Sequence, residues 1–496
     1  MFSLFAQIAA YGDKTAIHDQ NGVHTYAQLW AQSQHLARQL RGELDDLAEA
    51  RIAFMAVPDA RFVVMQWAIW QAGGVAVPVS VMHPKTEIAY LLEDTQASKW
   101  LLTTEYAELA SAFSTPVHWV ESLSADAVPL QNKPTLDLSR KALIIYTSGT
   151  TSRPKGVVST FGNLEAQVTT LLEAWAWQAE DVLLHVLPLH HVHGLINALA
   201  CPLWVGAEVV MRPRFSPDDF WEQLLNGSIS VFMAVPTIYG RLVEDWAHLS
   251  PERQAQLRPV LAQMRLMVSG SAALPVRTLA AWKEISGYTL LERYGMTEMG
   301  MALSNPLSGP RKAGSVGFPL PGVEVEIVDE QGQVLTQSGV AGEIRVQGAN
   351  VFAEYWQKPE ATAEVLRKGW FYTGDIAERD AEGYFRILGR NNVDIIKTGG
   401  YKVSALEIEE VLRQLPQVQA CAVIGLPDTD WGEKVAAVLV WEGEMPDTAQ
   451  LREWTKTQLA PYKVPQLWKI STEDLPRNAM GKVQKPALRS WFEIKE

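Results

Sequence analysis

Ala142-Leu-Ile-Ile-Tyr146-Thr-Ser-Gly-Thr-Thr-Ser-Arg-Pro-Lys-Gly156 joins an apolar run to a loop dense in hydroxyls, glycine and cations. The run Ala142 to Ile145 reads as a buried strand, because it is short, continuous and apolar. The loop offers an anion, most plausibly a polyphosphate, the backbone N–H groups around Gly149 and the hydroxyls of Thr147, Ser148, Thr150 and Thr151. Lys155 adds an ammonium. An ordinary surface loop has the same composition, since Ser, Thr and Gly cluster in loops. The spacing is not that of a Walker A loop, so nucleotide binding rests on what surrounds the segment.

Upstream, helical and strand patterns alternate. Tyr26 to Leu40 has helical periodicity, Ile52 to Val57 is a strand, Arg61 to Gln71 is a helix, and Val75 to Val79 is the next strand. The rhythm resumes after the loop at Val182 to Leu187, Ala207 to Met211, Val231 to Val235 and Leu266 to Ser269. It predicts an α/β fold with mostly parallel sheets covered by helices. From about Pro319 the pattern changes to period 2, as in Val323-Glu-Val-Glu-Ile-Val328 and Gly342-Glu-Ile-Arg-Val346, which marks antiparallel strands with one wet face. Gly389-Arg-Asn-Asn-Val-Asp394 reads as a linker. Beyond it, Ser404 to Gln414 and Asp447 to Leu459 are helical, and Ala420 to Gly425 and Val435 to Trp441 are strands. The expected organisation is a large domain over 1–389, with a β-rich subdomain over about 319–389. A small α+β domain over 390–496 follows.

At 496 residues two or three domains are expected. Apolar content of 47% and charged content of 20% are those of a soluble globular protein. A net charge of −13 argues against nucleic acid or an anionic membrane as the main partner. Anions must therefore be met by locally placed cations and backbone dipoles. Cys201 and Cys421 are too few and too distant for a cysteine zinc site and suit a reducing compartment. The segment from Met1 to Ala10 lacks a basic start and reads as an amphipathic helix, not a targeting peptide. The apolar stretches 62–82 and 192–211 are broken by Gln, Gly, His, Pro or Glu. Each reads as a buried helix followed by a strand, with no membrane span. The expectation is a cytoplasmic protein, monomeric or homodimeric.

Five further blocks carry chemistry. His190-His191-Val192-His193 brings three imidazoles together, but no companion carboxylate or Cys has ligand spacing, so pocket-lining histidines are favoured over a metal. Val268-Ser-Gly-Ser-Ala-Ala273 follows a strand, and Gly270, Ser271 and Ala272 would let backbone approach a flat ligand, although an ordinary βα turn has this look too. Leu291-Glu-Arg-Tyr-Gly-Met-Thr-Glu298 supplies the aromatic Tyr294, Gly295, the Thr297 hydroxyl and the Glu298 carboxylate, the groups a Mg²⁺–nucleotide site needs. Arg293 inside it would require an anionic partner if buried. Asp375, in Tyr372-Thr-Gly-Asp375, could accept two hydrogen bonds from vicinal ribose hydroxyls, with Arg390 bracing the sugar or a phosphate. Lys482, in Pro476-Arg-Asn-Ala-Met-Gly-Lys-Val483, is a cation held by a glycine turn and able to reach another domain's site.

Taken in this order, the blocks resemble the adenylate-forming superfamily of acyl-CoA synthetases, adenylation domains and luciferases. They span residues 143 to 486. The resemblance implies that Thr147 to Lys155 closes over the ATP β,γ-phosphates, that Ser271 to Ala273 and Tyr294 form the adenine pocket, and that Thr297 and Glu298 meet the α-phosphate and Mg²⁺. It implies that Asp375 and Arg390 clamp the ribose and that Lys482 is the catalytic lysine of adenylation. A carboxylate would attack the α-phosphorus of ATP, and a thiol would then attack the acyl-adenylate. Between these steps the small domain rotates, bringing Thr398-Gly-Gly-Tyr401, with Gly399 and Gly400, towards the entry path of the thiol of coenzyme A. The linker is one residue longer than the common form. It places Asn392 where the resemblance expects the hinge Asp or Lys, and Ser152 stands where the loop usually has Gly.

The blocks Leu187-Pro-Leu-His-His-Val-His-Gly-Leu195, Phe232-Met-Ala-Val-Pro-Thr-Ile-Tyr239 and Val393 to Glu407 resemble malonyl-CoA synthetases, particularly the mitochondrial malonyl/methylmalonyl type. In that family the arginine of the Glu-Arg-Tyr-Gly block meets the distal carboxylate, a role the resemblance gives to Arg293. Arg241, His191 and His193 are the other expected substrate contacts. Arginine pairs bidentately with carboxylate, and a buried arginine left unpaired by acetate or a fatty acid is costly. The expected activity is an ATP-dependent acid–CoA ligase forming malonyl-CoA, with methylmalonate not distinguished from malonate. Three alternatives stay open. One is a ligase for a medium-chain or aromatic acid, with Arg293 paired to Glu292. The others are a stand-alone adenylation enzyme loading a carrier protein and a non-catalytic binding protein.

Overall fold

The computed structural model describes residues 2–120, 130, 134–147, 154–477 and 481–492. Among these residues the chain builds four sheets. The largest has a parallel centre, Leu291–Met296, Leu266–Ser269, Val231–Ala234, Val182–His185, Glu208–Met211 and Thr15–Asp19, with antiparallel strands at its edges. A second sheet runs in the order Glu354–Tyr355, Lys155–Thr160, Lys141–Thr147, Val75–Pro78, Arg51–Met55, Lys99–Leu102, Val117–Trp119. The continuous apolar strands lie in these two sheets because helices cover both faces, as parallel strands require. One core cluster runs between the sheets and includes Ile17, Leu143, Val157, Leu164, Leu195, Val268 and Leu291.

The phosphate-loop candidate departs from the βαβ expectation. Lys141–Thr147 returns antiparallel as Lys155–Thr160, with Ile145 opposite Val157 and Thr147 opposite Lys155. The two strands that flank the candidate loop thus pair antiparallel, and no helix begins at Lys155. The helix Phe161–Ala174 starts after the second strand, with Thr160 and Asn163 capping each other reciprocally. The Asn163 amide also donates to the carbonyls of Ala349 and Val351, at 2.9 and 2.8 Å. That brace brings Glu354–Tyr355 alongside Val157 and Val158.

The period-2 segments form an antiparallel sheet of Val323–Val328, Gly342–Gly348, Trp370–Arg379 and Leu366–Arg367, with Phe385–Arg390 paired to Trp370–Arg379. It begins at Val323, because Phe318–Pro319 still pairs with Leu303 and Ser304 in the largest sheet. It ends at Arg390, one residue past the anticipated junction. After the turn 391–394, a small mixed sheet packs Val418–Asp428 against Gly432–Trp441 and the helix Ala405–Leu412. No helix among the described residues is long and apolar enough to cross a membrane.

Candidate active site

Arg293 occupies the Leu291–Met296 strand and is 4% exposed. Alternation along the strand puts Leu291 and Arg293 on the face of the inter-sheet core, and Leu290 and Glu292 on the opposite face. The arginine–Glu292 pair that the rival reading needed is therefore absent. Glu292 instead accepts the Gly314 N–H at 3.2 Å, and burial, with Glu410 nearby, lifts its carboxyl to about 8. Arg293 has no ion-pair partner among the described residues. Its Nη2 donates to Ser271 Oγ at 3.3 Å, its Nε is buried without an acceptor, and burial pulls the guanidinium down to about 9. Ser271 Oγ also lies 3.3 Å from His193 Nδ1, whose other ring nitrogen is buried and unpartnered.

Two backbone features make room for this cluster. A Cβ on Gly270 would lie 2.4 Å from Arg293 Cζ, so any larger residue would displace the guanidinium. Ser271 holds φ of +72°, a left-handed conformation costly for a non-glycine residue and typical of functional sites. His193 begins a π-helix, His193–Ala200, another feature common at functional sites. Burial and its cationic neighbour Arg293 push the His193 pKa far down, so the ring is neutral. His190 and His191 are in ring contact at 4.1 Å, and burial first, then neighbouring cations and rings, lowers them to about 2 and about 4.

At the other end of the strand, Thr297 and Glu298 sit in the tight turn to Gly300–Ser304. Gly295 is obligatory there, since a Cβ would meet the Gly300 carbonyl oxygen at 2.1 Å. Glu298 Oε1 accepts from Tyr355 at 2.9 Å, and the ring of Tyr355 lies 4.8 Å from Lys155 Nζ. Tyr355 thus links the strand leaving the phosphate-loop candidate to the carboxylate. Burial raises the Glu298 pKa, which a nearby cation would reverse. One carboxylate fits Mg²⁺, which keeps several waters and takes its other ligands from substrate phosphates.

Asp375 is buried and accepts from both flanks, Tyr294 to Oδ2 at 2.6 Å and Arg390 Nε to Oδ1 at 2.9 Å. An ionised carboxylate has about four acceptor sites, so two remain for vicinal hydroxyls. Burial would lower the Arg390 pKa, but Asp375, Glu298 and Tyr294 outweigh it and hold it above the ordinary value. Lys482 comes into this cleft from the small domain. Gly481 approaches Thr237 of the large domain, and Lys482 interacts electrostatically with Arg390, Asp375, Arg293 and His191. The cleft walls around it and the adjacent guanidiniums lower its pKa, although part of the side chain still meets solvent.

The other anticipated residues lie elsewhere. Ser148, Gly149, Thr150 and Thr151 fall outside the described residues. Thr147 ends its strand, with Oγ1 3.5 Å from the Lys155 carbonyl. Ala272 is exposed at the turn beside Ser271. Arg241 is also exposed, one helical turn beyond Thr237 on Pro236–Trp246, so it stands at the rim of the cleft and not in the buried pocket with Arg293. Gly399 and Gly400 form an exposed turn with φ of +55° and +82°, the first lying under the Trp431 ring. Asn392 is exposed in the turn between the last strand of the β-rich sheet and the small domain.

Residues 4–356 match the AMP-binding enzyme family, and residues 407–482 match the AMP-binding enzyme C-terminal domain. The chain belongs to the AMP-binding enzymes. Among relatives in this family, human mitochondrial malonate–CoA ligase ACSF3 is 47% identical over 99% of this chain and 92% of its own. Malonate–CoA ligase of Arabidopsis thaliana is 42% identical over 91% and 79%. Among solved structures, ATP-bound MatB from Rhodopseudomonas palustris superposes with a TM-score of 0.89 at 35% identity, covering 99% of both chains. A malonyl-CoA ligase ternary product complex with methylmalonyl-CoA and AMP gives 0.71 at 36% identity, covering 96% of this chain and 100% of that one.

Proposed function

We propose that this AMP-binding enzyme joins malonate to coenzyme A at the expense of ATP, through malonyl-AMP, with release of pyrophosphate and AMP. The observation that carries the reading is Arg293, a buried guanidinium with an unpartnered Nε and no carboxylate partner among the described residues. A dicarboxylate would satisfy it with one end and present the other end for reaction. Malonate–CoA ligases among the relatives support the same substrate.

In the first half-reaction a malonate oxygen bonds to the α-phosphorus of ATP and the bond to pyrophosphate breaks. Arg293 fixes the distal carboxylate, and the neutral His193 and Ser271 close the pocket around it. Asp375 takes the ribose hydroxyls, braced by Tyr294 and Arg390. Lys482 places positive charge where the phosphorus becomes five-coordinate, a preorganised electrostatic contribution. Glu298 would hold Mg²⁺, which when bound neutralises phosphate charge. In the second half-reaction the CoA thiol attacks the acyl carbonyl and AMP leaves. The approach of Gly481 to Thr237 and the electrostatic contact of Lys482 with Arg390, Asp375 and Arg293 support a small domain placed for the first step.

The test is pyrophosphate release with ATP, Mg²⁺ and CoA, offering malonate, methylmalonate, succinate, acetate, octanoate and benzoate in parallel. Malonate leading by orders of magnitude, with the preference collapsing in Arg293→Ala, is expected. Octanoate or benzoate leading while malonate is inert would overturn the substrate and leave the ligase chemistry standing.

A further inference from the structure

The small domain contains a buried cation that the chemistry above does not use. Lys485 is 8% exposed, and its Nζ lies 2.6 Å from Asp394 Oδ1 and 2.7 Å from Glu409 Oε1. Burial alone would lower its pKa, but the two carboxylates outweigh burial and raise it. Glu409 is already served by others: Oε2 accepts from Arg413 at 2.9 Å and Oε1 from the Val423 N–H at 2.9 Å. Asp394 is different, because it stands at the passage between the domains. Its Oδ2 accepts the Arg390 N–H at 3.1 Å, its own N–H returns to the Arg390 carbonyl at 2.8 Å, and its carbonyl accepts from Ala405 at 2.8 Å.

Lys485 lies three residues beyond Lys482, and the segment between them is closely held. Gln484 N–H donates to the Pro476 carbonyl at 2.7 Å, Arg477 pairs with Val483, and Arg477 Nη1 donates to the Gly481 carbonyl at 2.9 Å. Leu488, one turn on, is buried against Ala422, Ile424 and Val438. A connected path therefore runs from Lys482 through its short loop to Lys485, across to Asp394, and along Arg390 to Asp375. We infer that the Asp394–Lys485 ion pair positions the catalytic lysine, tying the loop that bears Lys482 to the turn that carries Arg390. Lys482 then enters the cleft in register with the Arg390–Asp375 pair that meets the ribose. The inference rests on the role given to Lys482 in the adenylation step. Lys485 and Asp394 are positioning residues, since neither reaches substrate in this arrangement.

A pair that merely staples the small domain would, when broken, weaken both half-reactions alike, and separating the two half-reactions distinguishes the cases. The full-length enzyme and its Lys485→Met, Lys485→Arg, Asp394→Asn and Lys482→Ala variants are assayed for pyrophosphate–ATP exchange without CoA. They are also assayed for thioester formation from supplied acyl-adenylate and CoA. The acid is whichever the wild type exchanges fastest, so an error over malonate cannot pass for failure of the clasp. Lys485→Met is expected to lower kcat of exchange by about 10- to 100-fold, the scale of a misplaced catalytic group. KM for ATP and acid should stay within about threefold, thioester formation should be unchanged, and Lys485→Arg should recover part of the loss. Asp394→Asn keeps the shape and the Lys485–Glu409 contact and should show the same selective loss. It decides the question should Lys485→Met not fold. Parallel loss in both half-reactions, or exchange at the wild-type rate, overturns the inference. Full exchange in Lys482→Ala would remove its foundation and overturn it too.

Discussion

Arg293 and Lys485 are both buried cations, and their surroundings are opposite. Lys485 lies between two carboxylates within hydrogen-bond distance. Arg293 has a serine hydroxyl and a neutral histidine nearby, an unpartnered Nε, and no carboxylate among the described residues. Taking a charge out of water costs several kcal/mol unless protein groups compensate it. The fully compensated cation holds structure together. The uncompensated one stores a deficit that an incoming anion can settle, which is the ground for proposing that it selects substrate. Burial alone does not distinguish the two; the partner list does.

The largest effect should come from Arg293→Met. Malonate-dependent exchange should fall by about 10³-fold or more, roughly 4 kcal/mol of transition-state stabilisation, while the Tm of the ligand-free protein holds or rises. A large drop in Tm would mean that Arg293 carries structure after all. Lys485→Met should do the reverse to stability, costing about 3 kcal/mol in denaturant unfolding because two carboxylates lose their cation. If chemical denaturation finds no cost, the contrast between the cations fails.

Glu292, on the far side of the same strand, sharpens the comparison through pH. Its folded pKa of about 8 is raised above the ordinary 4.5, so the native state binds more protons than the unfolded one between these values. Its contribution is complete below about pH 4.5 and is lost as pH rises through 8, with a limiting slope of about 1.4 kcal/mol per pH unit. Glu292→Gln, which mimics the protonated acid, should match wild type at about pH 4 and surpass it by a growing margin in Tm as pH rises from 6 to 9. Parallel Tm curves from pH 6 to 9 would show that Glu292 ionises normally. The smallest effect is expected of Arg241→Ala: exposed at the rim, it should change kcat/KM for malonate by less than about tenfold. A loss approaching that of Arg293→Met would place both arginines on the substrate.

Much of this arrangement was legible in the sequence because it lies in contiguous blocks. The Leu291 to Glu298 block reveals a cation, an aromatic and a carboxylate in one reading, and Tyr372 to Asp375 places the partner of Arg390. Period 2 could also have separated Glu292 from Arg293, since adjacent strand residues face opposite ways. Tyr355 was not legible: it reaches Glu298 across 57 residues from a two-residue strand with no motif of its own. The π-helix was hidden in a nearly continuous apolar run, where widened helical spacing leaves no polar mark. The antiparallel return after Thr147 was missed because the strand Lys155–Thr160 mixes glycine, serine and threonine into its apolar centre. Lys485 was not legible, as its two carboxylates, Asp394 and Glu409, come from distant segments.

The division of labour along Leu291–Met296 has a consequence for how such enzymes diversify. A buried guanidinium and a carboxyl whose pKa burial raises are neighbours in the gene and are kept apart by the thickness of one strand. Residue 293 can be exchanged without disturbing what lies behind the sheet, since Glu292 faces the other way. A one-residue shift of register within Leu291–Met296 would turn both side chains over at once, exchanging the faces that the acid and the arginine occupy. Variation in this stretch should therefore accumulate as substitutions at constant length, while length changes collect in the loops outside it.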